Sequence, residues 1–360
     1  MENYVVSARK YRPTDWSSIV GQSAIVETLQ NAIRNNHLAQ AFLFCGPRGV
    51  GKTTTARILA KTINQLSTEG QFDDKEDFAF NIFELDAASN NSVDDIRNLI
   101  DQVRISPQIG NYKVYIIDEV HMSSQAAFNA FLKTLEEPPK HAIFILATTE
   151  KHKIIPTILS RCQIFDFQRI QINEIVEHLK NVATKEHITV EEDALHLIAQ
   201  KADGGMRDAL SIFDQIVSFS GNELTYEAVI HNLNILDYDY YFSLTDKLLG
   251  DQLPEVLLIF NEILNKGFDG HQFINGLAEH FRNLLVCQDA STQKLLEVGD
   301  NIKAKYLQQA ESTSQAFLLP AIRLCNECDY RYKGSKNQRL LVELTLMQLT
   351  ALSSPEKKNG

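Results

Sequence analysis

The chain has 360 residues, enough for two to three domains at roughly 150 residues each. Hydrophobic residues make up 44% and charged ones 22%, which excludes a mainly disordered chain, and 16 glycines and 9 prolines are too few for a collagen-like or linker-rich one. The net charge of -11 argues against a protein coated all over in nucleic acid, yet residues 1–61 carry eight Lys/Arg against three Asp/Glu, so a local basic surface is available.

In chain order, four short apolar runs rich in Ile, Val, Leu and Phe read as buried parallel strands: residues 41–45, 81–85, 114–117 and 143–147. Helix-like stretches at 53–63, 93–103 and 124–135 lie between them, and strand–helix alternation predicts an α/β domain with a parallel sheet. Residues 67–77 are polar and acidic and read as an exposed loop. After about Phe167 the strands are expected to stop. Residues 173–220 read as three short amphipathic helices, with Gly204 and Gly205 between the second and third, and 225–352 as a longer run of helices. Residues 353–360 read as a polar tail.

The five cysteines (Cys45, Cys162, Cys287, Cys325, Cys328) are odd in number and widely spaced, which argues against a disulfide framework and for a reducing compartment. The N-terminus lacks the layout of a signal peptide, and no apolar run reaches the ~18 residues of a membrane span, so the expected home is the cytoplasm, with no membrane partner. Cys325 and Cys328 form a lone pair on a helix and are expected to pack rather than bind zinc.

The strongest chemical signal is Gly46-Pro47-Arg48-Gly49-Val50-Gly51-Lys52-Thr53, followed by Thr54. It fits G-x-x-x-x-G-K-T/S and sits after a strand and before a helix. Glycines there let backbone N–H groups curl around phosphate oxygens, the lysine reaches the β and γ phosphates, and the Thr53 hydroxyl binds Mg²⁺. The strand at 113–117 runs into Asp118 and Glu119. In a P-loop enzyme Asp118 holds the Mg²⁺ and Glu119 polarises the attacking water. Thr148 ends the run at 143–147; taken alone it reads as a strand-capping threonine, and beside a P-loop as a residue that orients that water or reports on the γ phosphate. Arg161 and Arg207 are candidates for stabilising charge on a transferring phosphoryl group. His121 is read as packed and hydrogen-bonded or as coupled to hydrolysis, and Trp16 as packing near the nucleotide.

These strings, with Ala8–Pro13 (A-R-K-Y-R-P), Val20-Gly21-Gln22, 84–89 (E-L-D-A-A-S), 113–122 (K-V-Y-I-I-D-E-V-H-M), 129–139 (N-A-F-L-K-T-L-E-E-P-P), 158–162 and 205–210, resemble a AAA+ ATPase of the clamp-loader group, the bacterial DNA polymerase III gamma/tau family. The resemblance implies a AAA+ P-loop domain over 1–168, a small helical lid over 169–222, an all-α oligomerisation collar over 223–352 and a tail over 353–360. It makes Lys52 and Thr53 Walker A, Asp118 and Glu119 Walker B, Thr148 sensor 1, Arg207 sensor 2 and Arg161 a trans-acting arginine finger. Arg9, Arg12, Pro13 and Val20 would line the adenine pocket, and Arg97 and Lys133 would face duplex DNA. ATP and Mg²⁺ are the implied cofactors. The implied partners are the sliding clamp, delta- and delta-prime-type loader subunits, primer–template DNA and further copies in a ring.

Two departures from the family pattern stand out. The interval 64–82 holds no cysteine, so the family's four-cysteine zinc module has no ligands there and no zinc is expected. Asn90 and Ser92 stand where basic residues are common near the DNA. Ending near the collar, the chain reads as a short form or a truncation of a longer one. A non-hydrolysing loader-like scaffold is the alternative function, and a AAA+ branch-migration helicase, which needs strands after the lid, a further one.

Overall fold

The computed structural model describes residues 5–67, 80–90, 92–108 and 110–353. Apart from Ser67, the loop expected at 67–77 lies outside the described residues, as does the tail from 354. The chain divides into two compact units, one of residues up to Val182 with Ala199–Gln215, the other of Ala183–Ile198 with Ile216 onward.

The elements of the first unit are α1 (Ser7–Lys10), α2 (Ser23–Arg34), β1 (Ala41–Cys45), α3 (Lys52–Ser67), β2 (Ile82–Asp86), α4 (Val93–Val103), β3 (Lys113–Asp118), α5 (Gln125–Glu136), β4 (Ala142–Thr148), α6 (Pro156–Leu159), β5 (Gln163–Asp166) and most of α7 (Ile172–Lys185). Among the described residues, β1 to β5 form one parallel sheet in the order β2-β3-β4-β1-β5.

Helices cover both faces of this sheet, which is why β1, and β4 up to its final Thr148, are apolar, and both strands are buried along their whole length. Alternate side chains enter opposite cores. Leu43, Tyr115, Phe144 and Leu146 pack with Ile96 and Leu99 of α4, Phe128 and Phe131 of α5 and Ile158 of α6. Phe42, Phe44, Ile116 and Ile145 pack with Leu29 of α2 and Ala56, Leu59 and Ile63 of α3. On the first face Phe83, Tyr115 and Phe144 stack across three strands at 5.1 and 5.6 Å between centroids.

The second unit holds β6 (Thr189–Val190), α8 (Glu192–Lys201, shared with the first), the end of α9 (Met206–Ser220), β7 (Glu223–Leu224) and seven further helices among the described residues. These are α10 (Tyr226–Leu233), α11 (Tyr238–Leu249), α12 (Leu253–Asn265), α13 (Gly270–Cys287), α14 (Asp300–Ser312), α15 (Gln315–Tyr332) and α16 (Gln338–Ser353). The three helices expected over 173–220 are α7, α8 and α9, with the Gly204-Gly205 break in place. The expectation that strands stop after Phe167 needs correction. β6 and β7 pair in parallel, with Thr189 N–H donating to Asn222 O at 2.9 Å and Glu191 N–H to Leu224 O at 3.0 Å. Two-residue strands are too short to leave a periodic signal in sequence.

α13 lies at the centre of the helical core, packing on α14, α15 and α16 through Phe273, Leu277, Phe281 and Leu284. Cys325 and Cys328 are buried in this core as packing residues. His280 is 1% exposed there. Its Nε2 donates to Gln309 Oε1 at 3.0 Å and its Nδ1 accepts from the Tyr306 hydroxyl at 3.1 Å. Burial pulls the imidazole from its ordinary 6.5 down to about 3, with the Gln309 bond opposing. An unfolded chain therefore takes up this proton below about 6.5 while the folded one refuses it until about 3. Stability that is intact above 6.5 is lost progressively as pH falls through that window, by at most about 1.4 kcal/mol per pH unit from this group. Replacing His280 by Gln should flatten the dependence of the denaturant midpoint between pH 6 and pH 4. An unchanged slope in that variant would assign the acid sensitivity to other groups.

Candidate active site

The loop 46–53 joins β1 to α3, and its turn depends on glycine. Gly46 has φ +146° and Gly51 φ +102°. A Cβ on Gly46 would sit 2.5 Å from the Phe167 carbonyl oxygen, whereas one on Gly51 would meet nothing within 4 Å. Gly46→Ala should thus push β1 and the end of β5 apart, lowering stability by about 2 kcal/mol or more. Thermal unfolding measures this, and a midpoint equal to that of the unaltered chain would refute it.

Lys52 is buried at 6% exposure and donates to the carbonyl oxygens of Gly46 and Pro47, each at 2.7 Å. Burial lowers its pKa, and the Glu119 and Asp118 carboxylates work against that shift. Thr53 Oγ1 donates to Asp118 Oδ2 at 2.6 Å, so the two oxygen groups expected at Mg²⁺ already touch. Hard oxygen donors beside an open glycine-lined cradle fit Mg²⁺ and its phosphates.

Glu119 sits at φ +47°, a left-handed conformation uncommon outside glycine. Its N–H donates to Asp118 Oδ1 at 2.9 Å, so the turn is held by the neighbouring carboxylate. Glu119 Oε2 accepts from Thr149 N–H at 3.3 Å and from the Thr149 hydroxyl at 3.0 Å. His121, its side chain 6% exposed, places Nδ1 3.0 Å from Thr148 Oγ1 and 3.4 Å from Glu119 Oε2, with Nε2 3.3 Å from Glu150. The histidine is therefore packed and hydrogen-bonded, and it links Thr148 to Glu119. Thr148 itself is fully buried and outside the cavity wall, so its bearing on the site runs through His121.

A cavity of about 620 Å³, in the range for a small-molecule site, joins these groups. Residues 48–54, Asp118, Glu119 and Arg207 supply the polar wall, and Tyr11, Pro13, Ile19, Val20, Ile170, Met206 and Leu210 an apolar one. The start of α9 touches the loop directly. Arg207 N–H donates to Gly49 O at 3.4 Å, and a Cβ on Gly49 would lie 3.2 Å from Gly205 Cα. Arg12 lines the cavity, while Arg9 is exposed on α1 and is not among the lining residues. Gln22 is buried and exchanges hydrogen bonds with the backbone of Gln168 at 2.8 and 3.3 Å, tying the start of α2 to the chain after β5. Trp16 is also outside the lining, its indole donating to Thr62 Oγ1 of α3 at 3.0 Å.

Three candidates stand apart from the cavity. Arg97 and Lys133 are exposed on α4 and α5, which pack against each other, and Arg97 pairs with Asp94 at 3.3 Å. Ser92, where a basic residue was of interest, caps α4 by accepting from Asp95 N–H. Arg161 precedes β5, whose Gln163 is opposite Phe42 of β1. The P-loop leaves the far end of β1 at Cys45, three residues or about 10 Å further along. Arg161 is thus at the opposite end of the strands from the P-loop.

Several lining residues had been missed. Tyr11, Met206 and Leu210 lie inside the strings quoted above, so the signal was present at neighbouring positions. Ile170 and His178 carry no motif and reach the cavity only through the path of the chain into α7.

Three family models match in order: DNA polymerase III, delta subunit, over 21–171; DNA polymerase III clamp loader subunit, ATPase lid domain, over 174–222; and DNA polymerase III delta subunit, C-terminal domain, over 239–349. The chain is 38% identical to the Bacillus subtilis DNA polymerase III subunit tau over 98% of its own length and 64% of that protein's. It is 40% identical to the Escherichia coli subunit tau over 74% of this chain and 43% of that one. It is 35% identical to a Buchnera aphidicola DNA polymerase III subunit gamma over 98% of both chains. The chain therefore spans less than two thirds of the first two relatives and nearly all of the third. No helix among the described residues is long and apolar enough to cross a membrane.

Proposed function

Because the chain belongs to the DNA polymerase III gamma/tau family of AAA+ clamp-loader subunits, we propose that it is an ATP-hydrolysing motor that loads a sliding clamp onto primed DNA. The observation that carries the reading is the meeting of Lys52, Thr53, Asp118 and Glu119 on one cavity with an apolar wall. The apolar wall takes the base and the P-loop takes the phosphates. Lys52 exchanges its two carbonyl partners for phosphate oxygens, and Thr53 and Asp118 would hold Mg²⁺. When bound, Mg²⁺ supplies charge neutralisation at the β and γ phosphates. Glu119 takes a proton from the attacking water, its carboxylate aimed by Thr149 and His121. Arg207, at the first turn of α9, senses the γ phosphate and draws the lid over 169–222 onto the P-loop domain, 1–168.

Arg161 acts on a neighbouring subunit's nucleotide, and 223–352 forms the collar that holds subunits in a ring. Arg97 and Lys133 face primer–template DNA, and delta- and delta-prime-type subunits complete the loader in the cytoplasm. The helicase reading is disfavoured, since no strand follows Leu224 among the described residues. The deciding experiment measures ATP turnover by the chain with and without primed DNA, clamp and the other loader subunits. DNA-stimulated turnover supports the motor. ATP binding with no turnover in the complete assembly would favour the scaffold.

A further inference from the structure

We propose that Glu136 is a positioning residue for Arg161, a strut that holds the guanidinium in the orientation from which it reaches a neighbour's nucleotide. The inference rests on the trans role of Arg161 given above. Glu136 Oε1 accepts from Arg161 Nη2 at 2.6 Å. Nη1 donates to the Thr157 carbonyl at 2.7 Å and to Ser160 Oγ at 3.2 Å. These bonds use three of the five N–H donors of the guanidinium and leave a donor edge for phosphate.

Both supports are stiff. Glu136 is the last residue of α5 and is followed by Pro138 and Pro139, whose fixed φ limits how the helix end can move. The Pro139 carbonyl is pinned by Ala142 N–H at 2.9 Å and by Gln40 Nε2 at 3.0 Å, at the N-terminal end of β4 and β1. Thr157 and Ser160 belong to α6 and its C-cap, and α6 starts with Pro156.

Helix stability does not explain Glu136. A carboxylate at a helix C-terminus opposes the macrodipole, and here Glu137 adds a second. Nor does a gain in overall stability, because the pair is half exposed, with side chains 31% and 48% accessible, and such pairs contribute little. What the contact does provide is order. A free arginine samples many rotamers, and fixing it at the moment of catalysis costs rate; a guanidinium already held by a carboxylate avoids most of that cost.

The test uses the full chain in its assembled complex. Glu136→Ala should lower turnover about tenfold and leave ATP affinity unchanged, with Glu136→Gln, which keeps an acceptor oxygen, falling in between. The location of the defect is the decisive readout. Subunits carrying Lys52→Ala alone, or with Glu136→Ala, are mixed with unaltered subunits. The strut reading requires slower turnover in the second mixture, because only the unaltered neighbours hydrolyse. A double substitution Glu136→Ala with Arg161→Ala should be no worse than Arg161→Ala alone. Equal turnover in the two mixtures, faster turnover by Glu136→Ala (a restraining catch), or additive losses in the double variant would each overturn the proposal. Lys52→Ala subunits that also carry Arg161→Ala form a separate arm. If they leave their neighbours' rate untouched, the trans role itself is wrong, and that failure is distinct from failure of the strut.

Discussion

Glu119→Gln is expected to bind ATP as tightly as the unaltered chain and to hydrolyse it about 10²–10⁴-fold more slowly. The two side chains have the same shape, the amide oxygen still accepts from Thr149 N–H and its hydroxyl, and the backbone N–H at 119 still donates to Asp118 Oδ1, so the left-handed turn is kept. Only the ability to take a proton from water is lost, which is felt in the transition state and not in the ground state. Lys52→Ala is expected to fail earlier. Its ammonium is the buried charge at the P-loop, and its removal withdraws the cation facing ground-state phosphates and leaves the Gly46 and Pro47 carbonyls without their donor. Titration with a fluorescent ATP analogue, followed by steady-state turnover, separates the two. Equal nucleotide affinity for Lys52→Ala and the unaltered chain would sink the assignment.

Arg161→Ala is expected to reduce turnover in the assembled ring by about 10³–10⁵, the range for a trans arginine, with little change in ATP affinity. The reason is placement: Arg161 is at the end of the strands opposite the P-loop and, in its own subunit, is held by Glu136, Thr157 and Ser160. Mixing Arg161→Ala subunits, whose own Lys52 is intact, with Lys52→Ala subunits, whose Arg161 is intact, should restore part of the activity that each lacks alone. If no ratio of the two recovers turnover, Arg161 acts in cis or merely holds β5 in place.

The sheet and the P-loop were legible because their physics is local. A strand buried on both faces is apolar over most of its length, as β1 is throughout and β4 is up to Thr148, and a phosphate cradle must carry glycine where Gly46 and Gly51 take positive φ. The boundaries of β2 and β3 moved by a residue or so, since their flanks obey no such rule. What could not be read were groups that matter through distant contacts. Thr149 holds Glu119 from thirty residues away, and Glu136 meets Arg161 across twenty-five. Ile170 lines the cavity because the chain turns back over the P-loop after β5, with Ile170 N–H bonded to Gly204 O. Arg9 differs for the opposite reason: helix α1 puts Ala8 on the cavity and leaves Arg9 exposed, and the chain just after it brings Tyr11 and Arg12 to the lining.

The strand order has a consequence for how the chain is made. β1 is translated early, yet both strands that flank it come late, β4 at 142–148 and β5 at 163–166. On a ribosome adding ~5–20 residues per second, the apolar run Ala-Phe-Leu-Phe-Cys waits on the order of ten seconds for its partners. Until then both of its edges are open to pairing with other chains. Nascent chains stopped between residues 60 and 140 should therefore be the most prone to aggregate and to recruit chaperones, and those released after β5 the least.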